Sequence, residues 1–313
     1  MAGSATSQLR SAYVAETTPG TIPATPGFTT SHQRIAMQAT PQAVHGRSLI
    51  GKGARMGHGV SGIPVTGEIP QTGLIYGVYD DWIASLLQGA WSSNVLKDGK
   101  SHVTNAVENT IPAGVGGTNT MMRYRGVEAT TMTLNLSAGS EAQFSMDLVG
   151  MGSDDATTTA ISGATYTDPT EADVLTSGAD VGTITMAGYT LDCMESLEIS
   201  LTYENRDPQP KISSDDLCGV TRGDLIPTLT GNFLLEANFA AIYNAARARH
   251  SSFALTIPLG SVSGEKYTML FPACHFEGPE IDFSQPGAMQ KVPIAPHYDT
   301  TEDCVVKITR AVS

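Results

Sequence analysis

The sequence predicts a mainly β fold that is internally duplicated, with one short helix per copy and an extended N-terminal arm and loop. Three observations carry this. Apolar and polar residues alternate with period two in several runs, 32 glycines and 17 prolines cut the 313-residue chain into short pieces, and one order of elements occurs twice. With 41% apolar and 16% charged residues, the latter against roughly 25% in an average soluble domain, a core is assured and whole-chain disorder excluded. The length favours two modest domains or one duplicated domain.

Residues 1–32 form the arm: Thr17-Thr-Pro-Gly-Thr-Ile-Pro-Ala-Thr-Pro-Gly27 forbids helix. The first copy, 33–151, opens with a short strand at Arg34 to Gln38 and a Gly-rich loop, 46–62. A short helix follows at Asp80 to Gln88, with acids at its start and Gly89 at its stop. In Ala129 to Ser137, Thr130, Met132, Leu134 and Leu136 oppose Thr131, Thr133 and Asn135; Ala142, Phe144, Met146 and Leu148 oppose Glu141, Gln143, Ser145 and Asp147. Residues 152–190, rich in Ser, Thr, Asp and Gly, read as a solvated acidic connector. In the second copy, 191–313, Leu197, Ile199, Leu201 and Tyr203 alternate with Glu198, Ser200, Thr202 and Glu204. A second helix near Glu236 to Arg249 places Phe239, Ile242, Tyr243 and Ala246 on one face. Ile63-Pro-Val-Thr-Gly67 is echoed by Ile226-Pro-Thr-Leu-Thr-Gly231, each glycine followed twelve residues on by a tyrosine, Tyr79 or Tyr243. Each copy closes with a strand pair around a glycine, Gly139 or Gly287. All these strands are expected to bury one face.

The net charge of -13 is unevenly placed. Residues 1–70 hold five Lys or Arg against two acids, and residues 71–230 hold 21 acids against seven bases. Such a balance argues against reading a nucleic acid sequence, because phosphates must be neutralised by Lys and Arg. No stretch nears the roughly 18 apolar residues of a membrane span, and the start lacks the apolar segment of a secretion signal, so a soluble protein is expected.

Catalytic signatures are sought and not found. Gly46-Arg-Ser-Leu-Ile-Gly-Lys-Gly53 approaches a P-loop but has glycine where Ser or Thr must bind magnesium, and no helical pattern follows. The histidines, His45, His58, His250 and His275 among them, have no metal-ligand spacing, and Ser61 is not in a nucleophile elbow. Asp154-Asp155 and Asp215-Asp216 sit in polar loops as solvated acids; Trp82 and Trp91 belong to the first helix and its packing. Cys193, Cys218, Cys274 and Cys304 are widely spaced and read as reduced thiols. No cofactor or metal is expected.

The order of elements resembles the major tail tube proteins of long-tailed, non-contractile bacteriophages. The resemblance runs over nearly the whole chain, through the Pro-rich start at Ala15 to Pro26, Val65-Thr-Gly-Glu-Ile69 and the Asp81-Trp-Ile83 helix. Tyr124-Arg-Gly-Val-Glu-Ala129, Leu134-Asn-Leu-Ser-Ala-Gly-Ser140, Phe144-Ser-Met-Asp-Leu-Val-Gly150 and Gly231-Asn-Phe-Leu-Leu-Glu-Ala-Asn-Phe239 extend it. The resemblance implies a tail-tube β-sandwich whose sheets join between subunits into a barrel-like ring. The rings would stack into a tube that conducts DNA into the host without binding it specifically. It also implies a virion protein assembled in the host cytoplasm beside a tape measure protein and distal tail and tail terminator proteins, with no membrane partner. Two copies per chain suit three chains around a pseudo-six-fold lumen; six chains is the alternative. Lumen candidates are Thr131, Thr133, Asn135, Glu141, Gln143 and Asp147, with Glu198, Glu204, Glu280 and Asp282 from the second copy. Arg34, Arg47, Lys52 and Arg55 are candidates for contact with a neighbouring subunit or ring. A baseplate or surface module binding a host ligand, and a hydrolase using an Asp pair, are the other classes. Tubes in the electron microscope would separate the first from both.

Overall fold

Period-two alternation becomes strand throughout the computed structural model. It describes every residue except 1–7, 46–56, 114–116, 170–171, 190–192, 213, 215, 236–238, 249–251, 284–286 and 312–313. In chain order the elements are β1 (Arg10–Ala15), β2 (Gly27–Thr30), β3 (Ala36–Ala39), β4 (Ala43–His45), β5 (His58–Val60), β6 (Val65–Gly73), α1 (Asp80–Leu87), β7 (Val95–Lys97), β8 (Asn105–Ile111), β9 (Thr120–Ser137), β10 (Gln143–Gly150) and β11 (Gly152–Ser153). There follow β12 (Thr165–Thr167), β13 (Thr185–Met186), β14 (Met194–Tyr203), β15 (Pro208–Pro210), β16 (Leu217–Val220), β17 (Leu225–Leu234), α2 (Phe239–Arg247), β18 (Phe253–Leu259), β19 (Lys266–Phe276), β20 (Glu280–Asp282), β21 (Met289–Pro296) and β22 (Lys307–Ala311).

Strand pairing repeats between the halves. The first runs β3–β6–β10–β9–β8–β1 and the second β14–β17–β21–β19–β18–β13, antiparallel at every step. Even the irregularities coincide. The β9–β10 ladder slips between Ala129 and Thr131, and the ladder of β21 slips between Phe276 on β19 and Glu280 on β20. Pro279 stands in that second slip, where a residue without an N–H is tolerated. The halves are joined by β9 and β14, paired from Thr131↔Thr202 to Ser137↔Ser196.

The resulting sheet buries one face. Met132, Leu134, Phe144, Ile199, Leu229 and Ile294 point inward, and Met132, Leu134 and Phe144 meet Ile83 of α1 and Leu259, Tyr267, Met269 and Ile308 across an apolar seam. Helix α1 is itself buried. Its Trp82 packs on Tyr13 at 5.3 Å, and Asp80 accepts a hydrogen bond from the Tyr267 hydroxyl at 2.5 Å and pairs with Arg310. The helix ends at Gln88 in the left-handed region (φ 51°); Gly89 then passes so close to β7 that a Cβ would lie 2.3 Å from the Lys97 carbonyl.

Several expectations change. The extended residues 10–30 lie on the sheet: β1 runs along β8 and β2, and Ala12, Tyr13 and Phe28 are buried, because prolines that forbid helix still permit extended chain. The connector is strapped down too, with β12 parallel to β2 and Leu175 and Met186 buried. Thr130 falls at the slip in β9 and leaves the buried row, so inward pointing resumes at Met132. Tyr79 precedes α1 and is buried, whereas Tyr243 lies within α2 and is 42% exposed, so the two tyrosines are not equivalent.

Candidate functional site

The polar faces of the two halves are one surface. Because Asn135 stands opposite Glu198 and Thr133 opposite Ser200, the pleat continues across the join without inversion. One row reads Glu68, Asp147, Thr131, Thr202; the next Ser145, Thr133, Ser200, Thr228; a third Gln143, Asn135, Glu198, Thr230. The last crosses Ser137, Ser196, Asn232, Lys291 and Glu280, and Asp282 lies opposite Met289 beyond it.

Eight of the ten lumen candidates, Thr131, Thr133, Asn135, Gln143, Asp147, Glu198, Glu280 and Asp282, are thus brought to one face. Glu141 and Glu204 lie at its margins: Glu141 is exposed in the turn before β10, bridged to Thr176, and Glu204 is exposed just past the end of β14. Arg34 is exposed two residues before β3. Arg47, Lys52 and Arg55, with Asp215, lie outside the described residues.

Glu68 and Lys291 were missed. Glu68 stands opposite Asp147, and Asp147 is held above the usual carboxylate range by partial burial first and the Glu68 charge second. Lys291 stands between Glu280 and Asn232. Neither position is legible locally, since each depends on which strand lies alongside.

Beside the face, a long hairpin leaves each half at the same point. β4 and β5 extend the β3–β6 hairpin, and β15 and β16 extend the β14–β17 hairpin. The second arm lies on the first half. Arg222 donates to Glu128 at 2.7 Å, Arg206 to the Ala129 carbonyl, and Arg125 pairs with Asp216 at 3.1 Å. Glu128 is 2% exposed, and burial pulls the Arg206 guanidinium below its usual range while Glu128 opposes the shift. The first arm is exposed on β4 and β5, with Val44 and Val60 at 51% and 45%. Among the described residues, β3 pairs only with β6 and β20 only with β21.

A mainly β chain with one extended polar face, a projecting hairpin and, among the described residues, unpaired outer edges on β3 and β20 fits the class of structural assembly proteins. A family model described as phage tail tube protein matches residues 6–297, and the chain belongs to that family. It is a structural, self-assembling component of the phage tail. Comparison with curated proteins gives no match.

Proposed function

We propose that the chain polymerises into stacked rings that form the tail tube, and that the polar face spanning both halves lines the channel through which DNA is ejected. The continuity of that face carries the reading. Among the described residues it holds Glu68, Asp147, Glu195, Glu198, Glu280 and Asp282 against Lys291, set among short Ser, Thr and Asn side chains. Carboxylates repel phosphates within a Debye length, about 8 Å at physiological salt, and stacked rings repeat that repulsion along the path. Short neutral side chains offer nothing that clamps the backbone.

The repeated pairing order, with its slip in the same place, supports two copies of one tube fold at about 33–151 and 191–313, linked by 152–190. Three such chains would give a pseudo-six-fold ring, six the alternative. The first arm, with loop 46–62 bearing Arg47, Lys52 and Arg55, would contact a neighbouring subunit or ring, as would Arg34 before β3. Tape measure, distal tail and tail terminator proteins would be its further partners, with assembly in the host cytoplasm.

Electron microscopy of the purified chain tests this. Tubes of constant diameter with a three-fold end-on average are expected; discrete particles without a channel would overturn it. Deleting residues 46–60 should leave a folded monomer that forms no tubes.

A further inference from the structure

We infer that one chain joins the next through the same strand junction that already joins its own halves: the outer edge of β20 receives the end of β3 and its extension through Gln42 from a second copy, antiparallel, with Asp282 opposite Thr40 and Glu280 opposite Gln42. This rests on the self-assembly into rings proposed above and names the contact that makes it.

The register follows from pairings inside the chain. Gly67 stands opposite Met37 on β3 and Leu148 on β10; Gly231 stands opposite Leu197 on β14 and Val292 on β21. β3 is therefore the counterpart of β14, with Met37 matching Leu197. One residue before Leu148 and Val292, Asp147 faces Thr131 and Lys291 faces Glu280, so the last stretch of β9 matches β20. In the junction already made, Thr131 stands opposite Thr202 and Thr133 opposite Ser200. Transposing both strands places Glu280 against Gln42 and Asp282 against Thr40. All four side chains then fall on the polar face, which would run unbroken from chain to chain.

Two further observations fit the same contact. The Thr40 and Gln42 amides donate inward, to the Pro64 and Gly62 carbonyls, so the backbone groups facing outward belong to residues 39 and 41. Nearer its start the edge is covered by its own chain, since Tyr124 donates to the Met37 carbonyl and Asn109 to that of Ile35, both at 3.0 Å. The open length is thus the stretch the transposed register uses. On the other partner, Phe283 is the counterpart of Leu134. Leu134 is 2% exposed opposite Ile199, whereas Phe283 is 73% exposed and would lie against Ala39 of the incoming strand.

Cross-linking tests the register. Thr40 and Asp282 would form a non-hydrogen-bonded pair with Cα atoms about 4.5 Å apart, within disulfide range. In a chain carrying Cys193→Ser and Cys218→Ser, which removes the exposed thiols, Thr40→Cys with Asp282→Cys should oxidise into a covalent ladder. The ladder should stop at the number of chains in the ring. Gln38→Cys with Asp282→Cys, offset by two residues to roughly 7–8 Å, should link at least tenfold less. Mixed single-cysteine chains should give dimers and nothing larger, so the result does not need the double variant to form tubes. Tubes whose thiols stay free, or better linking by the offset pair, would overturn the junction while leaving the tube intact. Parent chains that stay monomeric in the microscope would overturn the tube reading, and the junction with it.

Discussion

If the polar face lines the channel as proposed, reversing its charge should turn a lining that DNA slides past into one that grips it. The perturbation is Asp147→Lys with Glu198→Lys. Both residues are exposed, on β10 and β14, and both lie within rows that cross the join between the halves. Neither change places like charges together: Lys at 147 would stand opposite Glu68, and Lys at 198 between Asn135 and Thr230. Folding and tube diameter should therefore be unchanged. On the described face, six carboxylates and one ammonium become four and three. A unit charge 8 Å from a phosphate in water is worth about 0.5 kcal/mol before screening, so each reversal shifts the local energy by about 1 kcal/mol, and every ring repeats it. Each phosphate neutralised on duplex DNA adds about -0.9 to the slope of log affinity against log salt. Purified variant tubes should retain duplex DNA at about 50 mM salt and release it at about 200 mM, whereas the parent tubes retain none. Virions carrying the variant should eject slowly, and faster as salt rises. DNA retention equal to the parent at low salt, or a reconstruction with these side chains outside the tube, would refute the reasoning.

Three other outcomes follow from the packing. Tyr267→Phe removes a hydroxyl, 3% exposed at its residue, that donates to Asp80 and accepts from the Gly77 amide at 2.7 Å; the loss should be about 1–3 kcal/mol in denaturant unfolding. Gly126→Ala meets a positive φ of 61° and Met151 atoms 2.6 Å from the new Cβ, so equilibrium unfolding should register a loss of about 2–4 kcal/mol. Asp147→Asn should stabilise the subunit slightly at neutral pH, by less than about 1 kcal/mol. Because the folded carboxyl titrates above its unfolded value, its charge opposes folding at neutral pH. The gain from Asn should therefore shrink as pH falls through the folded value toward about 4, which thermal melts at the two pH values would show.

The alternation at Met132 to Leu136 and at Leu197 to Tyr203 was enough to find the strands and their wet faces, because side-chain period is a local property. The echo of Gly67 in Gly231 pointed to a repeat, and the two glycines stand at corresponding points of the β6–β10 and β17–β21 ladders. What could not be read is how distant strands lie together. Nothing near Asn135 says that Glu198 will stand opposite it, and nothing near Glu68 names Asp147 as its neighbour. The slip at Thr130 is equally silent, since a threonine suits either row. Proline and glycine before Phe28 excluded helix but did not distinguish a free arm from strands paired with β8 and β12.

The internal junction and the one proposed between chains face opposite demands. The internal one forms once, while the chain folds, so it can hold a buried ion pair: Glu128 is sealed beneath Arg222 and beside Arg206, with its half of the sheet already fixed. An edge meant for another chain must remain in water until that chain arrives, and an open strand edge invites pairing with any partner. Its residues reflect this. Pro41 removes a donor from the β3 edge, Pro279 interrupts the β20 side, and Glu280 and Asp282 put charge on the strand itself. Glu277, in the place Glu128 holds in the first half, is exposed. On the proposed duplication, joining the halves through β9 and β14 removes two of the four junction edges that separate copies would leave. Half the joins are then made during folding, and only the guarded remainder depends on assembly.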